Sequence, residues 1–246
     1  MNSELKPLEI ILSAVCAALY AVLGYLTYLG LFCPVIGVVR FWPAVIVPAV
    51  FAALFGPMVG GVGAAIGIFV SDLVIHGDAL LSLTVGVPAN FMGGYIFGWL
   101  SRVKVGKIKS LIITFSLFSL LSILSLTVGL KKFLPMEVAV IFVASSIISL
   151  IVCILLVFSK EKWRSFGLAC SIGLLVASLY IGLGVWIYSQ IFILPSTIGG
   201  GFKLPIYTSL IWFLWTFLTE IPFPLIFGPP IIEACRKAFP SLRKNP

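Results

Sequence analysis

Charge is what this 246-residue sequence has least of: only 10% of its residues are Asp, Glu, Lys or Arg, against about 25% in an ordinary soluble domain. The acids number eight and histidine occurs once, at His76, so a site built from several histidines is excluded. There is no GxxxxGK[ST] loop to cradle a nucleotide's phosphates, no HExxH pair and no GxSxG elbow. The expectation is therefore a protein that is not an enzyme, with no cofactor and no metal of its own. The five cysteines are odd in number and none forms a CxxC pair, which argues against both a disulfide framework and a thiolate metal site. The excess of 16 basic over 8 acidic residues gives a net charge of +8. The basic residues lie in short clusters between apolar runs, which fits lipid contact and topology rather than nucleic acid.

What fills the space left by charge is apolar: 61% of the residues are hydrophobic. Several runs reach the roughly 20 residues a helix needs to cross a bilayer, and they lack the alternation of a barrel strand. The sequence predicts an all-α, polytopic membrane protein forming one domain over residues 1–246. About eight segments are expected, near 8–31, 41–55, 57–75, 87–101, 110–130, 136–158, 165–194 and 205–230. The second is short, so it and the third are expected either to cross or to form a re-entrant hairpin. The first run continues past Ala21 with no polar cleavage region, so it reads as a retained helix rather than a signal peptide. With the N-terminus in the cytoplasm of a cell-membrane protein, Arg40, Lys131, Lys132 and Lys203 fall outside, and the other basic residues fall inside. That bias predicts both termini on the cytoplasmic side.

The stretch from Phe41 to Leu100 carries the most information. Gly56, Gly60, Gly63, Ala64 and Gly67 recur in one run, and Gly93, Gly94 and Gly98 in the next. Small residues at such spacings let helix backbones approach closely in a membrane. The first run ends in the polar residues Ser71, Asp72, His76 and Asp78, and the second opens at Val87-Pro88-Ala89-Asn90. Ionisable groups beside a membrane are costly and usually functional. Candidate substrate-binding residues at the outer end are thus Arg40, Trp42, Asp72, His76, Asn90 and Tyr188. Arg40 is the expected partner of Asp72. Trp42 and Tyr188 also suit a plain interfacial aromatic belt. Glu220, deep in WFLWTFLTEIPFP, is a second intramembrane acid, fit either for substrate or ion handling or for pairing with a basic side chain.

Helix one carries Ala14, Ala17, Ala18 and Ala21 in overlapping AxxxA pairs. With RFWPAVIVPAVFAALFGPMVGGVGAAIGIFVSDL and the later GVPANFMGGYIFGWL, this resembles the substrate-binding (S) subunit of energy-coupling-factor (ECF) vitamin transporters over roughly the first 100 residues. The resemblance implies capture of a small water-soluble vitamin or related micronutrient. It also implies delivery to a separate transmembrane coupling subunit driven by an ATPase pair, with Ala14 and Ala18 facing that subunit. Such subunits typically have six helices, so two helices here stand beyond the family core, and no site residue carries over to the second half. The residues leave two alternatives open: a stand-alone secondary transporter using Glu220 and Asp72, and a membrane assembly or lipid-modifying protein.

Overall fold

The structure is a computed structural model and describes residues 6–239. Over these residues the chain is an all-α bundle of eight helices with a two-stranded hairpin between the first two. Helix α1 spans Pro7–Tyr28, the strands β1 and β2 span Val35–Ile36 and Val39–Arg40, and α2 spans Ile46–Phe55 behind a 3-10 turn at Pro43–Val45. Helix α3 is Pro57–Ile75, and α4 runs over Ala79–Leu100 with a wide π-turn at Ser82–Gly86. The remainder is α5 (Lys107–Leu130), α6 (Met136–Phe158), α7 (Glu161–Ile191) and α8 (Tyr207–Ala238). Seven of these are long and apolar enough to cross a membrane, and α2 is the exception. Side chains such as Phe115, Leu155 and Ile187 are more than half exposed on their outer faces. So large an apolar surface belongs in lipid, and the protein is a multi-pass helical membrane protein.

The shortness of α2 has a physical cause. The Trp42 N–H donates to the carbonyl of Thr219 at 3.1 Å, and Thr219 lies roughly 18 Å along α8 from its start. The chain has therefore reached mid-depth as a hairpin, with Val39 fully buried, before it becomes helical at Pro43. Helix α2 crosses only the remaining half. It ends at Gly56, whose φ of +118° turns the chain into α3. The Arg102 guanidinium donates to the carbonyls of Ala52 at 3.3 Å and Gly98 at 2.6 Å, tying together the ends of α2 and α4 at the Gly56 turn. Burial, with Arg236 nearby, lowers its pKa from the usual guanidinium value.

Two helix boundaries depart from expectation, both through proline. Helix α4 begins at Ala79 rather than Val87, because the Asp78 side chain accepts from the Leu81 N–H at 3.0 Å and caps it. Pro88 reads as a helix start, yet it sits inside the helix. It has no N–H for the Thr84 carbonyl, which instead accepts from the Tyr180 hydroxyl at 3.2 Å. Helix α8 continues through Pro229 and Pro230 to Ala238, where it packs on α2 and α6. Its joint is higher, at Ile221. Pro222 cannot bond the Leu218 carbonyl, and Ser145 of α6 donates there at 2.5 Å.

Helix α3 lies between α1 and α4. Gly63 meets Cys16 and Gly67 meets Tyr20 on one side, while Gly60 meets Gly94 backbone to backbone on the other. Helix α7 packs on α4, and α8 on α7, around an aromatic core that includes Phe118, Phe142, Phe166 and Phe217. The two halves thus form one body. One end carries the hairpin, the His76–Asp78 turn and the 192–206 loop, and is called the Arg40 end below. The other carries the Gly56-Pro57 turn and the 101–106 loop, and is called the Lys104 end.

Candidate functional site

A cavity of about 310 Å³ lies inside the bundle, walled by α1, α3, α4, α7 and α8 and by the start of α2 with the turn leading into it. Tyr28, His76, Thr197 and Ile198 line it at the Arg40 end, and Pro48, Phe97 and Leu174 line its floor. Most of the wall is apolar, from Ile68, Leu81, Val85, Ala177, Ile181 and Val185 among others. Its polar groups come in three sets.

The first set belongs to α3 and α4. Asp72 and His76 are one turn apart on α3, so both face the same side. The Asp72 carboxylate accepts from the Ser82 hydroxyl at 2.6 Å and stands 3.5 Å from His76 Nε2. His76 Nδ1 accepts from the Asp78 N–H at 3.1 Å. The imidazole proton is thereby assigned to Nε2, toward Asp72. Asp72 fits so close to the π-turn that a Cβ on Gly86 would lie 2.6 Å from its oxygen.

The second set joins α1 to α4. Asn90 Nδ2 donates to the Gly86 carbonyl at 3.0 Å, and its Oδ1 accepts from the Tyr20 hydroxyl at 2.9 Å. One glycine of the π-turn thus contacts both Asp72 and Asn90. The wide turn at Pro88 makes this possible, as π-turns often do at functional sites.

The third set is a stripe along α8. Trp212, Thr216 and Glu220 recur every four residues and all line the cavity, as does Trp42 from the turn before α2. Among the described residues, none bonds or pairs with the Glu220 carboxyl. Of the alternatives for Glu220, pairing with a basic side chain is not seen among the described residues.

The cavity brings together four of the expected binding residues, Trp42, Asp72, His76 and Asn90, and adds Glu220 to them. Two expectations need correction. Arg40 is exposed at the end of β2 and does not pair with Asp72, because the hairpin reverses the chain and carries its side chain away from the cavity wall. Tyr188 does not line the cavity either. Its hydroxyl donates to Asp78 at 2.8 Å and its ring packs on Phe192, which ties α7 to the start of α4. Trp186 likewise serves the scaffold, donating to the Leu204 carbonyl at 3.0 Å and holding the 192–206 loop. Ala14 and Ala18 are both exposed on α1 and do not line the cavity.

Tyr20, Trp212, Thr216 and Ser82 are site residues that sequence reasoning does not single out. The stripe Trp212, Thr216, Glu220 has a readable signal in its spacing of four. Tyr20 has one too, three residues after Ala17 on the face that Gly67 meets. Ser82 has none. No protein-family model, curated protein or solved structure matches this chain.

Proposed function

We propose that the protein is the substrate-binding subunit of an ECF-type importer, holding a small water-soluble micronutrient in the bundle cavity for delivery to a membrane coupling subunit and its ATPases. The observation that carries this reading is a preformed cavity with polar groups from four helices and an apolar floor. That construction fits a small-molecule binding site. Two further features support it. No nucleotide-binding loop occurs in the chain, so energy must come from elsewhere if transport is uphill. The small-residue face of α1 is exposed at Ala14 and Ala18, and a face of that kind admits a second helix closely.

Two experiments test the partner and the orientation. Ala14→Trp or Ala18→Trp is expected to leave the melting temperature and ligand binding of the purified chain unchanged while removing the coupling subunit from affinity-purified complexes. Retention of that subunit by both variants would refute the assignment of the face. The proposed orientation puts the Lys104 end in the cytoplasm of the cell that makes it. With Cys33→Ser to remove the cysteine at the other end, a cysteine at Lys104 is expected to stay unlabelled by an impermeant maleimide until the cells are opened. Labelling in intact cells would reverse the topology.

One observation favours the alternative of a stand-alone secondary transporter, namely the unpaired Glu220 carboxyl in the cavity wall, since such acids carry protons or ions in many transporters. Proteoliposomes containing this chain alone separate the two. The importer reading expects binding without accumulation, and the alternative expects accumulation under a proton gradient.

A further inference from the structure

The cavity wall carries more acid than base. Asp72 and Glu220 are acids, His76 is an imidazole, and no Lys or Arg is among the lining residues. At this end Arg40 and Lys203 are both exposed, and neither lines the cavity. The two acids are also unequal. Asp72 has Ser82 and His76 as partners, whereas Glu220 has none among the described residues. An acid left unpartnered in an apolar wall is destabilising unless something else supplies a donor or a positive charge.

We infer that the cavity takes a small organic cation, with the cationic group held against Glu220 and its flat or apolar body between Trp42, Trp212 and Tyr20. This rests on the reading of the cavity as the substrate site and names the class of substrate. Aromatic faces attract cations and also stack on flat rings, so the three rings suit both parts of such a molecule. An anion would meet two carboxyl groups, and the one basic side chain on the wall, His76, already faces Asp72 through Nε2, so desolvating an anion there would go largely uncompensated. A metal ion is a poor fit: among the described residues no group of three or more His, Cys, Asp or Glu is placed to hold one. The volume of about 310 Å³ is at the low end of the roughly 300–1,000 Å³ of small-molecule sites, which favours a single ring system over a dinucleotide-sized ligand.

The test uses the full chain purified in detergent, with benzyltrimethylammonium, benzyl alcohol and benzoate as probes. Binding is followed by calorimetry and by quenching of the tryptophan fluorescence. Benzyltrimethylammonium is expected to bind about tenfold or more tightly than benzyl alcohol, the ratio for one charge-assisted contact, with benzoate weakest. Glu220→Gln should lower the affinity for the cation by about tenfold and leave that for the alcohol unchanged. Glu220→Asp should keep part of the preference. Trp212→Ala, which leaves the acid in place, should weaken the cation more than the alcohol and serves if the Glu220 variants fail to fold. Binding with no preference for the cation, or a preference unchanged in Glu220→Gln and Trp212→Ala, overturns the inference while leaving the cavity as a binding site. Failure of all three probes to bind overturns the cavity reading as well.

Discussion

Gly94→Ser is expected to destabilise the protein by about 3 kcal/mol, the upper part of the range for overpacking, whereas Gly106→Ser should change stability by less than about 0.5 kcal/mol. The chemical change is the same, and only the surroundings differ. A Cβ at Gly94 would collide with the Gly60 carbonyl oxygen, reach its carbon at 2.7 Å and meet the Gly61 nitrogen at 3.0 Å. All three are backbone atoms of α3, so no side chain can swing aside and the two helices must separate. At Gly106, in the loop before α5, nothing lies within 4 Å, and a serine is a good helix N-cap. Thermal unfolding of the two purified variants, followed by scanning fluorimetry, gives the comparison. Equal melting temperatures would show that the α3–α4 contact is looser than the close approach at Gly60 indicates. The same separation would draw Asp72 on α3 from Asn90 on α4, so Gly94→Ser should also weaken ligand binding. That links a helix-packing glycine to the site it holds in register.

The glycine contact also shows how much of the fold is readable. Residues 60, 63, 67, 93 and 94 announce close helix packing by spacing alone, because in lipid that is how small residues serve association. The number and order of the helices follow from apolar run length, and so does the all-α class. What spacing does not reveal is local backbone departure. Pro88 looks like a helix start, and only the three-dimensional position of Tyr180, which supplies the missing donor to Thr84, lets it sit inside one. The π-turn then sets the relation of Asp72, Gly86 and Asn90. Sequence predicts that Asp72 and Asn90 are neighbours, and they are, but through Gly86 and not across a short loop. Arg40 illustrates the opposite case. Its charge and its place beside the apolar run point to Asp72, but a two-residue reversal in the hairpin decides where the side chain goes, and no pattern of hydrophobicity records that. The role of α8 is half legible: the acid at 220 is conspicuous, whereas Trp212 and Thr216 on the same face become site residues only once α8 is known to pack beside α7 and across the cavity from α1 and α3.

The two cavity acids should respond to the same substitution with opposite signs. Asp72→Leu removes the acceptor of the Ser82 hydroxyl and the group faced by His76 Nε2. Each stranded donor costs about 1–3 kcal/mol, so a loss of about 3 kcal/mol in the stability of the unliganded protein is expected. Asp72→Asn should cost less, since an amide can accept from His76 and donate to the Ser82 oxygen. Glu220→Leu strands nothing, because the Glu220 carboxyl has no partner among the described residues. It replaces a polar group in an apolar wall with an apolar one of similar volume, and a gain of about 1–3 kcal/mol is expected from the polar desolvation relieved. Ligand affinity should fall in both variants, by direct loss of a contact in Glu220→Leu and through displacement of the α3–α4 wall in Asp72→Leu. The measurement is a pair of unfolding curves without ligand and a pair of titrations with it. A Glu220→Leu protein that is both less stable and still able to bind would mean that this acid serves the scaffold. A rise in melting temperature with loss of binding is the outcome for a residue kept at a cost in stability because the ligand needs it.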